Sequence, residues 1–342
     1  MIISNFPTNK NRQFDESLLA KQDKLTGQPG QVVGFGADGA AVAAQGWSNP
    51  NLLDNWYFGD PVNQRGQTEY TGTAGYFIDR WKRDAGILVA LTSEGLELRR
   101  NSAGNNGVFQ PVERWQGLKQ QRLTISALVR GTAGTQGLLG FSGGGNSIYD
   151  NWVPLTGDLQ LITYTFIVPS TATTLNIIIR AATDDDYANE AVTLKAAKLE
   201  LGPTQTLAHQ DADGNWVLND PPPNKALELA KCQRYQRAIP IGTILLGYIT
   251  SGGTTFESPM PDNMRASKPT FLFDGAKAAI RTVNGYSDVA SSNNIGSITS
   301  VIVNSTGTRI IFEVENKLVI GTNNTPASLT VYESNILIDK NI

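Results

Sequence analysis

Arg122-Leu-Thr-Ile-Ser-Ala-Leu-Val-Arg-Gly131 puts Leu123, Ile125, Ala127 and Val129 on one side of an extended chain. Side chains alternate across a strand, so an apolar set with a period of two marks a strand buried on one face. Tyr164, Phe166 and Val168 repeat the pattern. Val192-Thr-Leu-Lys-Ala-Ala-Lys-Leu-Glu-Leu201 alternates twice, and its apolar parity slips between Ala196 and Ala197, where a β-bulge would restore the buried face. Such runs are half-buried strands of an antiparallel sheet. Trp47, Trp56, Trp81, Trp115 and Trp152 cluster in the same region, bulk that a two-sheet sandwich uses to fill its centre.

Outward from these strands, composition divides the 342 residues into four parts. Residues 1–46 form an attachment segment. It holds a short helix at Asp15–Lys24, with a stripe of Phe14, Leu18 and Leu25, and then a hairpin turning at Asp38-Gly39. Neither piece buries a core alone, so both fit a place where copies of the chain meet. Residues 47–202 form the first sandwich. Residues 203–240 are a linker: a hairpin tip at Asp211-Ala-Asp-Gly-Asn-Trp216, the stiff run Pro221-Pro-Pro, and a helix over Lys225–Arg237 capped by Asn224, with Ala226, Leu229 and Ala230 on one face. Residues 241–342 return to strands joined by Gly-, Asn- and Ser-rich turns and form a second, distal sandwich. The fold class is therefore all-β, with two β-sandwich domains of jelly-roll type.

Twenty-eight basic residues against 31 acidic leave a net charge of −3, which argues against a phosphate-neutralising nucleic-acid binder and fits a largely neutral ligand. Cys232 and His209 stand alone, so no intrachain disulfide forms, and zinc sites, Ser-His-Asp triads and Cys-His dyads each have at most one component. The N-terminus lacks the basic and apolar segments of a signal peptide, and no stretch approaches the ~18 apolar residues of a membrane span. A soluble protein made in the cytosol is expected.

Several motifs invite a chemical reading and fail on context. Gly34-Phe-Gly-Ala-Asp-Gly39 satisfies the dinucleotide fingerprint, but only Ala40–Gln45 follows before the next turn, too short for a crossover helix. Asp211-Ala-Asp-Gly-Asn begins like a calcium loop, yet Trp216 and Pro222 occupy the positions of its Gly and Glu. Asp184-Asp-Asp supplies three carboxylates where Ca²⁺ takes six or more oxygens, and a solvated loop is the commoner use. Asp54, Asp60, Glu69 and Asp79 lie near the aromatic residues, but glycoside cleavage needs two carboxyls at a set separation, which the sequence does not display. No cofactor and no metal are assigned. Trp115, Tyr149, Trp152 and Tyr187 sit in or beside turn-rich segments where an exposed ring stacks on the apolar face of a sugar. Tyr286 lies among the distal turns Ser251-Gly-Gly-Thr, Asn284-Gly-Tyr-Ser, Ser291-Ser-Asn-Asn and Thr322-Asn-Asn, and these loops are slightly favoured over the first sandwich as the receptor site.

Asn51-Leu-Leu-Asp-Asn-Trp-Tyr-Phe58, Ile78-Asp-Arg-Trp81, Arg122–Gly131 and Lys198-Leu-Glu-Leu-Gly202 together resemble, in order and spacing, the carbohydrate-binding-module-like jelly roll of bacteriophage tail fibres and receptor-binding proteins. Leu227-Glu-Leu-Ala-Lys-Cys-Gln-Arg-Tyr235 is similar to the short helix that follows it there, and Pro261-Asp-Asn-Met-Arg-Ala-Ser-Lys-Pro269 to a connection in the C-terminal sandwich of those fibres. The resemblance implies a homotrimeric, non-enzymatic adhesin of the virion tail, docked to tail or baseplate proteins through its N-terminus and binding bacterial surface polysaccharide. It carries over no binding residue, because the matching motifs are scaffold. A glycan depolymerase and a purely structural baseplate or fibre component are the competing readings. The first lacks the long parallel repeats such enzymes usually show.

Overall fold

A computed structural model describes residues 32–35, 41–44, 48–100, 107–143, 146–148, 152–182, 191–250, 255–259, 270–273, 276–282, 295–303, 309–315, 326–332 and 334–339. The expected helix at Asp15–Lys24 lies outside them. The hairpin is present: Val32–Phe35 pairs antiparallel with Ala41–Ala44, so Gly34 lies inside a strand that pairs with the segment just after the glycine run, and that segment is a strand and not a crossover helix. Among the described residues no helix is long and apolar enough to cross a membrane.

The first body is two antiparallel sheets packed face to face. In the six-stranded sheet the order is Gln160–Ile167, Arg122–Gly131, Ala191–Leu201, Gly95–Arg100, Ile87–Thr92 and Glu69–Tyr70. In the seven-stranded sheet Asn146–Ile148 and Trp152–Pro154 both pair with Gln136–Gly143, followed by Asn176–Ala182, Gly107–Pro111, Trp81–Arg83 and Gly75–Ile78. Leu123, Ile125, Ala127 and Val129 are buried in the shared core, as their alternation requires, with Phe77, Trp81, Phe141 and Phe166. Phe141 and Phe166 stack across the two sheets with centroids 4.2 Å apart.

The register shift in Ala191–Leu201 falls between Leu194 and Ala196, earlier than the apolar slip between Ala196 and Ala197 places it. The first half of this strand pairs with Gly95–Arg100; beyond the bulge that edge is taken over by the 56–58 segment. Phe58 N donates to Lys195 O at 2.9 Å and Ala197 N to Trp56 O at 3.0 Å. The bulge marks that change of partner. On the outer face of the same sheet, Lys198 is fully buried and its Nζ donates to Asp220 Oδ2 at 2.9 Å and Ser48 Oγ at 2.5 Å, while Glu200 accepts from Thr206 N at 2.7 Å. These bonds lay the linker along the sheet.

The linker hairpin forms between Ala208–Gln210 and Trp216–Leu218, its tip closed by Asp211 Oδ1 accepting from the Asp213 and Asn215 amides. Asn224 caps the following helix as expected, accepting from Ala226 N and Leu227 N. That helix spans only Lys225–Cys232, because Gln236–Ile239 is already a strand paired with Ile336–Asp339. Its buried face also differs from the apolar stripe read in the sequence: Ala226 and Ala230 are exposed, and Glu228 and Cys232 are the buried residues. Glu228 is turned inward because Oε1 accepts the Asn55 N–H at 2.5 Å, a buried donor that the acid satisfies.

In the C-terminal body Ile244–Ile249, Thr255–Pro259, Arg309–Val314, Ile295–Val303, Lys277–Thr282 and Pro326–Tyr332 pair in that order, and the last closes on the first. The packed faces are thus joined at both edges into a barrel around Phe256, Phe312, Leu329 and Val331. A three-stranded sheet of Gln236–Ile239, Ile336–Asp339 and Thr270–Leu272 lies beside it.

Candidate functional site

Strand parity decides which side chains leave the core of the first body. Leu139, Ile179 and Val108 lie in register and inside the sandwich. Their neighbours Gly140, Ile178, Phe109, Lys82 and Tyr76 are also in register and face outward across the seven-stranded sheet. Phe109, Lys82 and Tyr76 are half-exposed. Lys82 Nζ stands 4.6 Å from the centroid of the Tyr76 ring, so a cation lies against that aromatic surface. The next outward row runs Trp152, Leu138, Arg180 and Gly107. On the other side of the Phe109 row come Ser142, Asn176 and Pro111, with Asn176 Nδ2 donating to Ser142 Oγ at 3.3 Å.

At the Pro111 end of this face a cavity of about 330 Å³ opens, lined by Arg80, Pro111, Val112, Glu113, Arg114, Trp115, Gln116 and Arg234. Trp115 begins the 3₁₀ turn Trp115–Leu118. It is half-buried against the core, and Lys119 Nζ lies 5.2 Å from its ring centroid. Arg114, the residue before that turn, has φ 51° and ψ 26°, the left-handed region. A non-glycine residue there costs of order 1 kcal/mol, and such strain concentrates at functional positions. Arg80 forms the floor: its guanidinium donates from Nε to Asp54 Oδ2 at 3.0 Å and from Nη2 to Pro111 O at 3.3 Å. Burial first, and then Glu113 alongside, hold the Tyr235 phenol above its ordinary range.

Of the five aromatic residues singled out in the sequence, Trp115 walls this cavity and Trp152 stands on the outer sheet face. Trp152 is level with Gly107 but three strands across the sheet from it, at ~4.8 Å per strand, and Trp115 lies beyond the Pro111 end of that strand, so the two rings mark separate places on the face. Tyr149, Tyr187 and Tyr286 lie outside the described residues, as do Asp184–Asp186 and the distal turns at 251–254, 283–294 and 321–325. The four acids weighed for glycoside cleavage are placed differently from one another. Asp54 is paired with Arg80 and Asp60 with Lys225, Glu69 is exposed, and Asp79 is buried under the Gln64 amide and side chain. Among the described residues no three His, Cys, Asp or Glu side chains come together as metal ligands. His209 Nδ1 meets Asn219 Oδ1 at 2.6 Å, and Cys232 is buried, which pushes its thiol up.

Sequence reading missed Arg80, Arg114 and Arg234, which are distant in the chain and share no local pattern. Phe109 and Tyr76 did leave a signal, since Tyr76-Phe77 in one strand must send one ring to each face.

No family model and no curated protein matches the chain. Among solved structures it is similar to the C-terminal family 22 carbohydrate-binding module of Clostridium thermocellum Xyn10B, at 16% identity over 43% of this chain and 95% of that one, TM-score 0.31. The tandem family 22 modules of Paenibacillus barcinonensis Xyn10C match at 14% identity over 85% and 98%, TM-score 0.31. TmCBM61 in complex with β-1,4-galactotriose matches at 15% over 45% and 99%, TM-score 0.29. Likenesses this weak carry no argument here about ligand or activity.

Proposed function

We propose that the chain is a non-catalytic glycan-binding protein that attaches a phage or phage-tail-like particle to bacterial surface polysaccharide. The observation that carries the reading is the outward face of the seven-stranded sheet. Tyr76, Lys82, Phe109 and Trp152 stand on it in fixed register, and it ends in the cavity walled by Trp115. Flat rings on a rigid sheet suit the apolar faces of sugars, and the surrounding amides and cations suit their hydroxyls. This reading moves the receptor site from the distal loops to the first body.

Attachment to a virion tail rests on the sequence resemblance, as does docking of residues 1–46 to tail or baseplate proteins. A homotrimer has a second support in Ile244 and Leu246, which stand outward and exposed on a barrel strand. Three copies multiply a weak sugar contact through effective concentration.

The test is binding of the purified chain to a glycan array and to host cells, with Trp115→Ala and Trp152→Ala as folded variants. Wild-type retention on saccharides with at least a tenfold loss in one of the two variants is expected. Retention on no saccharide, or new reducing ends appearing in host polysaccharide, sinks the non-catalytic glycan-binding reading.

A further inference from the structure

We infer that the cavity beside Trp115 takes a carboxylate-bearing sugar, a uronic-acid-type residue of an acidic polysaccharide. This rests on the glycan-binding reading and names the substrate class for one part of that site.

Three guanidinium groups and one carboxylate line the cavity. The charge of Arg80 is already answered by Asp54 at 3.0 Å, and its flat face lies 3.6 Å from the Tyr235 ring centroid. Glu113 stands against the Tyr235 phenol. Arg114 and Arg234 remain, both exposed, and among the described residues neither meets a carboxylate. The neutral phenol leaves the Glu113 carboxylate charged, so with Arg80 paired to Asp54 the lining carries one positive charge in excess, which runs against the chain's net −3 and against the neutral ligand that net charge alone leads one to expect.

Arg114 also holds a backbone conformation that glycine would adopt without strain, so the side chain and not the turn accounts for arginine at this position. A guanidinium presents a planar fork of donors that matches the two oxygens of a carboxylate. Trp115 offers a ring for the apolar face of the same sugar, and Gln116 an amide for a hydroxyl. At about 330 Å³ the cavity lies at the small end of ligand pockets, room for one sugar ring and not a run of them.

The experiment measures binding of the full chain to uronate-containing oligosaccharides, to the same oligosaccharides with carboxyls reduced to alcohols, and to phosphate-bearing glycans, each at low and high salt. At least one uronate oligomer is expected to bind tenfold or more tightly than its reduced counterpart, with the preference shrinking at high salt. Arg114→Gln and Arg234→Gln should each remove most of that preference, and their thermal unfolding should match wild type. Arg114→Gly is the second variant, relieving the backbone strain while still losing the preference. Equal binding of acid and reduced forms, or a preference untouched by both arginine variants, overturns the inference and leaves glycan binding standing. Preference for phosphate-bearing glycans overturns the carboxylate assignment. Retention of no saccharide at all overturns this inference together with the proposed function.

Discussion

The Arg80 guanidinium lies 3.6 Å from the ring centroid of Tyr235, a contact between the first body and the segment that leads into the second. Tyr235 is itself 1% exposed, and Arg80 reaches on to Asp54. One side chain therefore links a turn between two strands, the segment around Asp54 and the end of the helix.

Arg80→Leu is expected to destabilise the first body by about 2–4 kcal/mol, because it leaves Asp54 without its partner and removes the cation from the Tyr235 ring. Asp54 keeps some contact with water, which holds the loss to the lower part of the range for buried pairs. Urea unfolding followed by tryptophan fluorescence reads it. A shift under 0.5 kcal/mol would show that the contact is incidental.

Glu228 separates a polar from an apolar account of helix docking. Glu228→Ala leaves the buried Asn55 N–H without an acceptor and should cost about 1–3 kcal/mol. Glu228→Gln keeps a carbonyl in place and should cost less than half as much. If the two variants have equal melting temperatures, the hydrogen bond to Asn55 does not hold the helix.

Gly247 has no room for a side chain: a Cβ built there would stand 1.7 Å from the Glu257 carbonyl oxygen across the strand pair. The Glu257 backbone cannot yield cheaply and the buried Phe256 ring stands 2.8 Å away, so Gly247→Ala should cost the barrel about 3 kcal/mol or more. Differential scanning calorimetry on this variant is expected to show a transition for the C-terminal body moved down by several degrees while that of the first body stays. A single transition moving as one would mean that the two bodies unfold together.

Strand existence was legible because Leu123, Ile125, Ala127 and Val129 obey a period of two, a consequence of backbone geometry that distant residues do not alter. The bulge was misplaced by adjacent alanines, small enough to be read on either parity, when the cause was a change of pairing partner at Lys195. The helix face was misread because apolar periodicity is blind to a buried acid with a backbone donor to satisfy, and Glu228 is one. At the site, Trp115 and Trp152 were legible as aromatic residues beside turns. Arg114 and Arg234 were not, since only the fold brings them to one cavity.

Asp79 should make the first body more stable on mild acidification. Burial dominates its environment and raises its carboxyl above the ordinary value, against the bonds from the Gln64 amide and side chain and the nearby Arg65, which act the other way. Glu228 and Cys232 lie on the helix packed nearby, and Asp54 and Arg80 also face this region. A group whose folded pKa is raised stabilises the fold fully below its unfolded pKa, and that contribution fades as pH rises through the folded value. The melting temperature of wild type minus that of Asp79→Asn is therefore expected to increase as pH is lowered from 7.5 toward 4.5. A difference that is flat or falls over this window would show that the carboxylate is adequately solvated by its donors.

Ile244 and Leu246 are 62% and 72% exposed on the outer side of the barrel strand Ile244–Ile249, while Leu245 between them packs against the barrel core. Alternation alone accounts for Leu245. Two large apolar side chains at successive outward positions instead fit a surface covered by another copy of the chain. Leu246→Lys with Ile244→Lys adds two charges to that stripe and should leave each barrel folded, because both side chains point away from its interior. In a homotrimer assembled through this face, light scattering at micromolar concentration is expected to move from three chains to one, with circular dichroism unchanged. If the double variant remains trimeric, assembly belongs to residues 1–46 and their Phe14, Leu18 and Leu25 stripe. If the wild type is itself a monomer, the trimer is wrong, and with it the multiplication of weak sugar contacts that the proposed attachment relies on.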